Sequence, residues 1–162
     1  ISASNMRKTS FLNDLKENYA VLKKLGVNKQ QAPFFNPPFE LYNDSISKWC
    51  KDVGIYLVRS TPGTYSNLDY TFPEMRENYY STKEIMDKIM QVERYNGLNG
   101  YILQFHFGTN PGRKDKLYNS LSTIIGGLRN AGYQFTDLYS ATNLISEPKP
   151  EQHAQKKNKS KK

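Results

Sequence analysis

The 162-residue sequence contains one cysteine, Cys50, and only two histidines, His106 and His153. A single cysteine excludes an intramolecular disulfide and any metal site built from several cysteines. No apolar run approaches the roughly 20 residues that a membrane-spanning helix requires, and no signal-peptide pattern opens the sequence. We therefore expect no membrane partner, and we expect Cys50 to serve in helix packing.

The formal net charge of +8 invites a nucleic-acid-binding interpretation. Half of that charge lies in the stretch EPKPEQHAQKKNKSKK, which has six lysines and two glutamates. This stretch shows no hydrophobic period, so we predict a disordered Lys-rich tail over residues 146–162. Because the rest of the chain is only weakly basic, we expect no nucleic-acid partner. A nucleic-acid binder that uses the tail would lose salt-dependent binding on deletion of Lys156 to Lys162.

Hydrophobic periodicity predicts an alternation of helices and strands along the chain. The predicted helices are TSFLNDLKENYAVLKKLGV, NDSISKWCKDVG, STKEIMDKIMQVERY with a capping box from Ser81 to Glu84, and Asp115 to Asn130. The predicted strands are APFF, IYLV, GYILQFHF and GYQFTDLY. This order favours βαβ units and a parallel sheet. A polar loop of about twenty residues follows IYLV, and a loop of that length is usually functional or disordered.

Three loops follow the carboxyl ends of the first three predicted strands, where ligands bind in parallel α/β sheets. They hold ionisable and aromatic side chains: Glu40, Arg59, Asp69, His106, several tyrosines and Phe39. Aromatic rings beside hydrogen-bonding groups suit a sugar, whose faces are apolar and whose edges are hydroxylated. His106 ends an apolar run, and the residues alone allow either a buried core histidine or a catalytic group.

Three motifs in this order resemble the polysaccharide deacetylase family with the NodB-homology domain: PFFNPPFELYND, TPGTYSNLDYT and GLNGYILQFHFGTNPGRKDKLYNSL. They are most similar to a branch of the family found in Bacteroidetes, and the resemblance runs from about Thr9 to Tyr139. It interprets residues 1–145 as the C-terminal portion of a deacetylase domain. The fold that it implies is α/β: an incomplete, distorted (β/α) barrel with parallel strands and outer helices, from which the first strands are absent.

The resemblance also implies the roles of individual residues in the hydrolysis of an acetyl group. His106 takes the position of the proton donor, and the backbone amide of Phe39 that of the oxyanion binder. Asp69 either orients His106 or lines the cleft. The predicted substrate contacts are Pro38, Glu40, Tyr65 and Tyr70, although structural hydrogen bonds are an equal alternative for Glu40. Asn36 departs from the arginine that many members have, and Tyr65 replaces an arginine of the branch.

The family's metal ligands have no counterpart in this sequence. The resemblance implies a divalent metal, usually zinc, held by a Thr-Phe-Asp-Asp strand end and a His-x-x-x-His segment, and neither motif is present. Zinc sites need at least three protein ligands. We therefore expect no metal or other cofactor in this chain alone.

These expectations lead to two hypotheses about function. The first is a fragment of a metal-dependent carbohydrate deacetylase that acts on N- or O-acetyl groups of a polysaccharide or oligosaccharide and is inactive in isolation. The alternative is a non-enzymatic glycan-binding module with an aromatic rim. An exposed sheet edge predicts self-association in either case. The compartment stays open, although family members that act on polysaccharides are often exported.

Overall fold

A computed structural model of the chain describes residues 6–146. Its regular elements are α1 (Lys8–Lys24), β1 (Phe34–Phe35), α2 (Asp44–Asp52), β2 (Tyr56–Leu57), α3 (Thr82–Asn96), α4 (Leu121–Asn130) and α5 (Leu138–Ser146). Short 3-10 helices occupy Pro38–Glu40, Ser66–Leu68, Pro73–Asn78 and Leu117–Ser120. The chain divides into two compact units, one ending at Ser122 and the other beginning at Thr123. Within residues 6–146, no helix is both long and apolar enough to span a membrane.

The expectation of an incomplete (β/α) barrel is wrong for the residues that the structure describes. Their sheet consists of two parallel strands of two residues each, with Phe34 opposite Tyr56 and Phe35 opposite Leu57. Helices form most of the regular structure instead. A barrel requires continuous pairing of neighbouring strands around a closed ring. Each of these strands has one neighbour among the described residues, and self-association through the open edges stays a prediction.

The predicted strand GYILQFHF is not a strand because its amides bond to side chains rather than to a backbone ladder. The amide of Ile102 donates to Thr61 Oγ1 at 2.9 Å, that of Gln104 to Ser66 Oγ at 3.2 Å, and that of His106 to Asp69 Oδ2 at 2.7 Å. The two-residue spacing of these amides is that of an extended chain. Residues 101–106 therefore lie against the long loop, which fixes their register through hydroxyl and carboxylate groups.

The prediction of a last strand over GYQFTDLY is also wrong, because the final two residues of this segment begin α5. Asp137 accepts hydrogen bonds from the amide of Ser140 at 2.8 Å and from its hydroxyl at 2.9 Å. An acidic side chain that bonds an amide three residues ahead caps a helix. Ser146 belongs to α5 rather than to the predicted tail, and residues 147–162 lie outside the described part of the chain.

The apolar core of the first unit lies between α1, α2 and the two strands. The ring of Phe11 packs against Phe35 at 5.5 Å and against Trp49 at 5.7 Å between centroids. The buried members of this cluster are Phe11, Leu15, Ile46, Cys50 and Ile55. Side chains four residues apart share one helix face, so Phe11 and Leu15 place α1 on the core. Asn43, the first residue of the predicted helix NDSISKWCKDVG, caps α2, because its Oδ1 accepts from the amide of Ile46 at 3.0 Å.

The capping box predicted at the start of α3 is confirmed. The hydroxyl of Ser81 accepts from the amide of Glu84, and the carboxylate of Glu84 accepts from the amide of Ser81 at 2.8 Å. Ile85 and Ile89 are buried, four residues apart on one face. The helix also contacts the Ser66–Leu68 turn. This contact holds α3 beside the loop that carries the candidate site.

Candidate functional site

His106 and Asp69 form a tightly bonded pair at the centre of the candidate site. The Nδ1 atom of His106 lies 2.6 Å from Oδ1 of Asp69, and the amide of His106 donates to the other carboxylate oxygen. The side chain of Asp69 is 1% exposed, whereas that of His106 is 36% exposed. Because a carboxylate only accepts hydrogen bonds, the pairing places the imidazole proton on Nδ1. The other ring nitrogen, Nε2, is then left as the acceptor of the neutral ring.

The second nitrogen of the imidazole faces an amide that the sequence analysis did not identify. Nε2 of Gln104 lies 3.4 Å from Nε2 of His106, and Oε1 of Gln104 accepts from Nδ2 of Asn36 at 3.1 Å. The hydrogen bond from Asn36 turns the NH2 group of Gln104 toward the ring. A sequence signal did exist, because residues two apart in an extended segment share a face. The ring of Tyr70 lies nearly perpendicular to the imidazole, with 5.8 Å between the two ring centroids.

Glu40 ties the Pro-Pro-Phe-Glu turn to the long loop. Its Oε1 accepts from the amide of Ser60 at 2.8 Å and from its hydroxyl at 2.7 Å, and its Oε2 accepts from Nδ2 of Asn67 at 2.6 Å. Burial alone would raise the pKa of Glu40, but these hydrogen bonds and the nearby charge of Arg59 outweigh it and lower the pKa. Both carboxylate oxygens are therefore engaged in the structural hydrogen bonds that the sequence analysis kept as an alternative.

The turn that contains Pro38 and Phe39 is anchored on both sides. Asn36 bonds to Gln104 before it, and Glu40 bonds to the long loop after it. The side chain of Phe39 is 93% exposed, and Pro38 is also exposed. Phe39 has a φ of 56°, in the left-handed region. A residue other than glycine pays about 1–2 kcal/mol for this conformation, and such costs concentrate at ligand sites.

Tyr65 lies apart from the His106 pair, on the side of the loop that faces α3. Its ring contacts Tyr80 at 4.9 Å between centroids, and Nζ of Lys88 lies 5.3 Å from the ring. Tyr65 has a φ of 59°, so its backbone is also left-handed. The structure thus brings His106, Asp69 and Tyr70 together and places Tyr65 on a separate surface.

A buried arginine that the sequence analysis missed holds the end of the long loop. Arg113 is 0% exposed, and its Nη1 donates to the carbonyls of Thr71 at 2.7 Å and Tyr80 at 2.8 Å. Its Nε donates to the carbonyl of Asp115 at 3.2 Å, and its Nη2 to Oγ1 of Thr82 at 3.2 Å. A loop arginine is usually exposed, so nothing in the sequence indicated this burial.

The carboxylate of Asp115 adds a second set of bonds at the same place. It accepts from the hydroxyl of Tyr79 at 2.8 Å and from the amide of Thr82 at 2.6 Å. Burial would raise the pKa of Asp115, but these two hydrogen bonds and the charge of Arg113 lower it. Asp115 therefore acts as an ionised cap on the first turn of α3.

The residues of the candidate site do not fit the divalent metal that the family resemblance implies. Among residues 6–146, no group of three or more His, Cys, Asp or Glu side chains could hold a metal ion. Asp69 directs both of its oxygens to His106, and the second histidine, His153, lies outside the described residues. No chemical step is therefore derived through a metal.

No protein-family model matches this sequence, and no curated protein sequence is significantly similar to it. The resemblance to polysaccharide deacetylases therefore depends on the three motifs alone. What the chain can do chemically follows from the geometry around His106.

Proposed function

We propose that this chain supplies the proton-donating part of a metal-dependent carbohydrate deacetylase whose metal ligands come from outside this sequence. Its substrate is a glycan that carries N-acetyl or O-acetyl groups. The observation that carries the proposal is the pair formed by a partly exposed imidazole, His106, and a buried carboxylate, Asp69, 2.6 Å apart. This arrangement fixes one nitrogen of the ring, and the other faces the NH2 group of Gln104, whose place a substrate would take.

The proposed role of His106 is to deliver one proton to the leaving group. Hydrolysis of an acetamide adds water to the carbonyl carbon, then breaks the bond from carbon to nitrogen and releases acetate and an amine. The leaving nitrogen takes the proton from Nε2 of a protonated His106, while Nδ1–H stays bonded to Asp69. For an ester, the same proton goes to the leaving oxygen. The NH2 group of Gln104, 3.4 Å from Nε2, is also a donor, so it must move away from the protonated ring before the leaving atom can accept the proton.

The surroundings of the pair suit a sugar. Tyr70 presents a half-exposed ring at the edge of the imidazole, and Phe39 presents an exposed ring on the anchored turn. Aromatic rings with open faces pack against apolar surfaces of a ligand, and amides and hydroxyls at their edges bond its polar groups. By the family resemblance, the backbone amide of Phe39 binds the oxyanion.

The alternative function is glycan binding without chemistry. The observation that favours it is the lack of a metal-ligand set among the described residues, combined with exposed aromatic rings. The two functions differ in what they recognise. A deacetylase centre recognises the acetyl group, whereas a module that packs only against rings recognises the sugar skeleton.

The test compares two tetrasaccharides that differ in their acetamido groups, the tetramer of N-acetylglucosamine and cellotetraose. NMR titration of the full chain would report the amides of Gln104, His106 and Tyr70. The proposal expects these amides to shift with the acetylated tetramer and its affinity to exceed that of cellotetraose by about tenfold, the effect of one good buried contact. Equal affinities would favour the binding module, and no shift at these residues with either sugar would overturn both functions.

An acetate-release assay with added zinc completes the test. The isolated chain is expected to release no acetate from the N-acetylglucosamine tetramer, because residues 6–146 contain no group of side chains that could hold the metal. Acetate release that is lost in His106→Ala but kept in His153→Ala would show that the chain forms a complete centre. That result would overturn the proposal that the metal ligands come from elsewhere.

A further inference from the structure

An open groove with a volume of about 520 Å³ lies along α3, apart from the His106 pair. Ligand sites in proteins commonly have volumes of about 300–1,000 Å³, so the groove is large enough for a small ligand or part of a larger one. Three tyrosines line it: Tyr65, Tyr80 and Tyr95. Tyr65 is a predicted substrate contact, but neither the motifs nor the family resemblance assigned a function to the residues of α3 in this groove.

The tyrosines give the groove apolar faces. The rings of Tyr65 and Tyr80 meet at 4.9 Å with an angle of 56°, which fixes them as one platform. Tyr95, in the last turn of α3, is 81% exposed. An exposed tyrosine beside a fixed pair of rings offers contact area with little loss of side-chain freedom.

The charges that line the groove balance one another. Its charged lining consists of two carboxylates, Glu84 and Asp87, and two cations, Lys88 and Arg94. The carboxylates also have partners of their own, since Glu84 bonds to Ser81 and Asp87 pairs with Lys83 at 2.5 Å. A polyanion such as nucleic acid would require an excess of positive charge. The balance favours a neutral, hydroxyl-rich ligand that bonds to donors and acceptors alike.

The groove is joined to the His106 pair through a single turn of the long loop. Tyr65 precedes the Ser66–Leu68 turn, which contacts α3, and Asp69 follows that turn directly. The hydroxyl of Ser66 accepts from the amide of Gln104, two residues before His106. The left-handed backbone at Tyr65 reverses the chain at this point, so the loop presents Tyr65 to the groove and Asp69 to the imidazole.

We propose that the α3 groove is a binding subsite for further sugar units of the same neutral glycan that His106 contacts. This inference depends on the proposed function for the choice of ligand. The three tyrosines pack against sugar faces, and the carboxylates and cations of the lining bond to hydroxyl and acetamido groups. Such a subsite would let the protein bind an oligosaccharide more tightly than a single sugar.

The test uses Tyr95→Ala, because an exposed residue at the rim can be truncated without disturbing the core. Tyr139→Ala is the matched control, a tyrosine of similar type in α5 that does not line the groove. The probes are N-acetylglucosamine and its tetramer, measured by calorimetry and NMR. We expect Tyr95→Ala to weaken tetramer binding by about three- to tenfold, the effect of one aromatic contact, and to leave the monosaccharide unchanged. Tyr139→Ala should change neither affinity.

Each outcome separates this inference from the proposed function. If folded Tyr95→Ala binds the tetramer with unchanged affinity, and the tetramer still shifts the amide of His106, the groove is not a binding subsite and the proposed function still holds. Shifts at Gln91 and Tyr95 but none at His106 would sink the proposed function and keep the groove as a binding surface. A steep loss of binding between about 0.05 and 0.5 M salt would also overturn the inference, because a neutral glycan should bind almost independently of salt.

Discussion

Two regions of the first unit differ in what they bury. The region of α1, α2 and the two strands buries five apolar side chains, from Phe11 to Ile55, and none of its fully buried side chains is charged. The region from residue 59 to residue 116 also buries apolar side chains, Ile85, Ile89 and Leu98, but it adds buried hydroxyl, carboxylate and guanidinium groups. Its buried polar members are Ser60, Thr64, Ser66, Asp69, Thr71 and Arg113.

The difference teaches which region can hold a reactive side chain in place. Apolar burial is strong but has no direction, so it permits small shifts of the packed groups. Hydrogen bonds are directional, and leaving a buried partner unpaired costs about 1–3 kcal/mol. The polar region therefore combines apolar burial with directional hydrogen bonds that fix the positions of its side chains, and His106 lies within it.

The largest expected effect comes from removing the guanidinium of the polar region. Arg113→Met should lower the free energy of unfolding by about 3–5 kcal/mol, because it leaves buried carbonyls of Thr71, Tyr80 and Asp115 without their donor. Urea unfolding measures the loss. Arg94→Met on the surface of α3 is the control and should cost about 0.5 kcal/mol or less. A loss for Arg113→Met as small as that of the control would mean that the polar region is not held by its arginine.

A hydroxyl placed in the apolar region should cost nearly as much. Ile55→Thr is expected to lower the free energy of unfolding by about 2–4 kcal/mol, since it removes buried carbon and adds an unpaired hydroxyl. Ile55→Val removes carbon alone and should cost about 0.5–1.5 kcal/mol. Equal losses for the two variants in urea unfolding would contradict the apolar character of this region.

Replacing a buried hydroxyl of the polar region with an apolar group should lower the free energy of unfolding moderately. Thr64 is 0% exposed, and its Oγ1 bonds to the hydroxyl of Ser66 at 3.2 Å. Thr64→Val keeps the shape but removes the hydroxyl, so we expect a loss of about 1–2 kcal/mol. Hydrogen exchange at the amide of Gln104, which donates to Ser66, should accelerate in this variant. A neutral or stabilising effect would show that the region is held by apolar packing after all.

Acid should weaken the polar region through two carboxylates. The pKa values of Glu40 and Asp115 lie below the ordinary 4.5 and 3.8. Their stabilisation is complete above those ordinary values and is lost as pH falls through the lower values of the folded state. The free energy of unfolding, measured with urea, should therefore fall between about pH 6 and pH 2. In the double variant Glu40→Gln, Asp115→Asn this fall should be smaller. Glu17→Gln, an exposed carboxylate of α1, is the control; a decline unchanged by the double variant would refute this origin.

The smallest effect on stability is expected for Gln104, although it lies against the imidazole. Gln104→Leu should change the free energy of unfolding by about 1 kcal/mol or less, because its amide is only partly buried. The ring tautomer of His106, measured by its nitrogen chemical shifts, should keep its proton on Nδ1, since Asp69 stays in place. Asp69→Asn supplies a donor to Nδ1 and should move the proton to Nε2. A tautomer change in Gln104→Leu would assign the control of the ring to Gln104 instead.

The first three helices could be predicted because the spacing of nearby apolar and capping residues decides where a helix forms. The period of apolar residues located α1, α2 and α3, and the spacing of Ser81 and Glu84 located the start of α3. The same rules failed for GYILQFHF, whose apolar residues are compatible with a strand but whose amides found side-chain acceptors. They failed again before α5, where the capping aspartate at position 137 outweighed a strand-like composition.

The candidate site divides in the same way. The motifs indicated His106, Asp69 and the Phe39 turn, all of which lie in one connected set of loops. They gave no indication of Arg113, because burial of a charge depends on carbonyls more than 30 residues away. Gln104 could have been found from its spacing to His106, but its orientation depends on Asn36, which is distant in sequence.

The sequence by itself determined α1, α2 and α3, the capping box of α3 and the positions of the two short strands, because side-chain period and capping are set by residues within one or two turns. Only the tertiary structure decided that the segment ending at His106 bonds to the loop of Thr61, Ser66 and Asp69. Those hydrogen bonds join residues about 40 positions apart, and no local preference selects one distant acceptor over another.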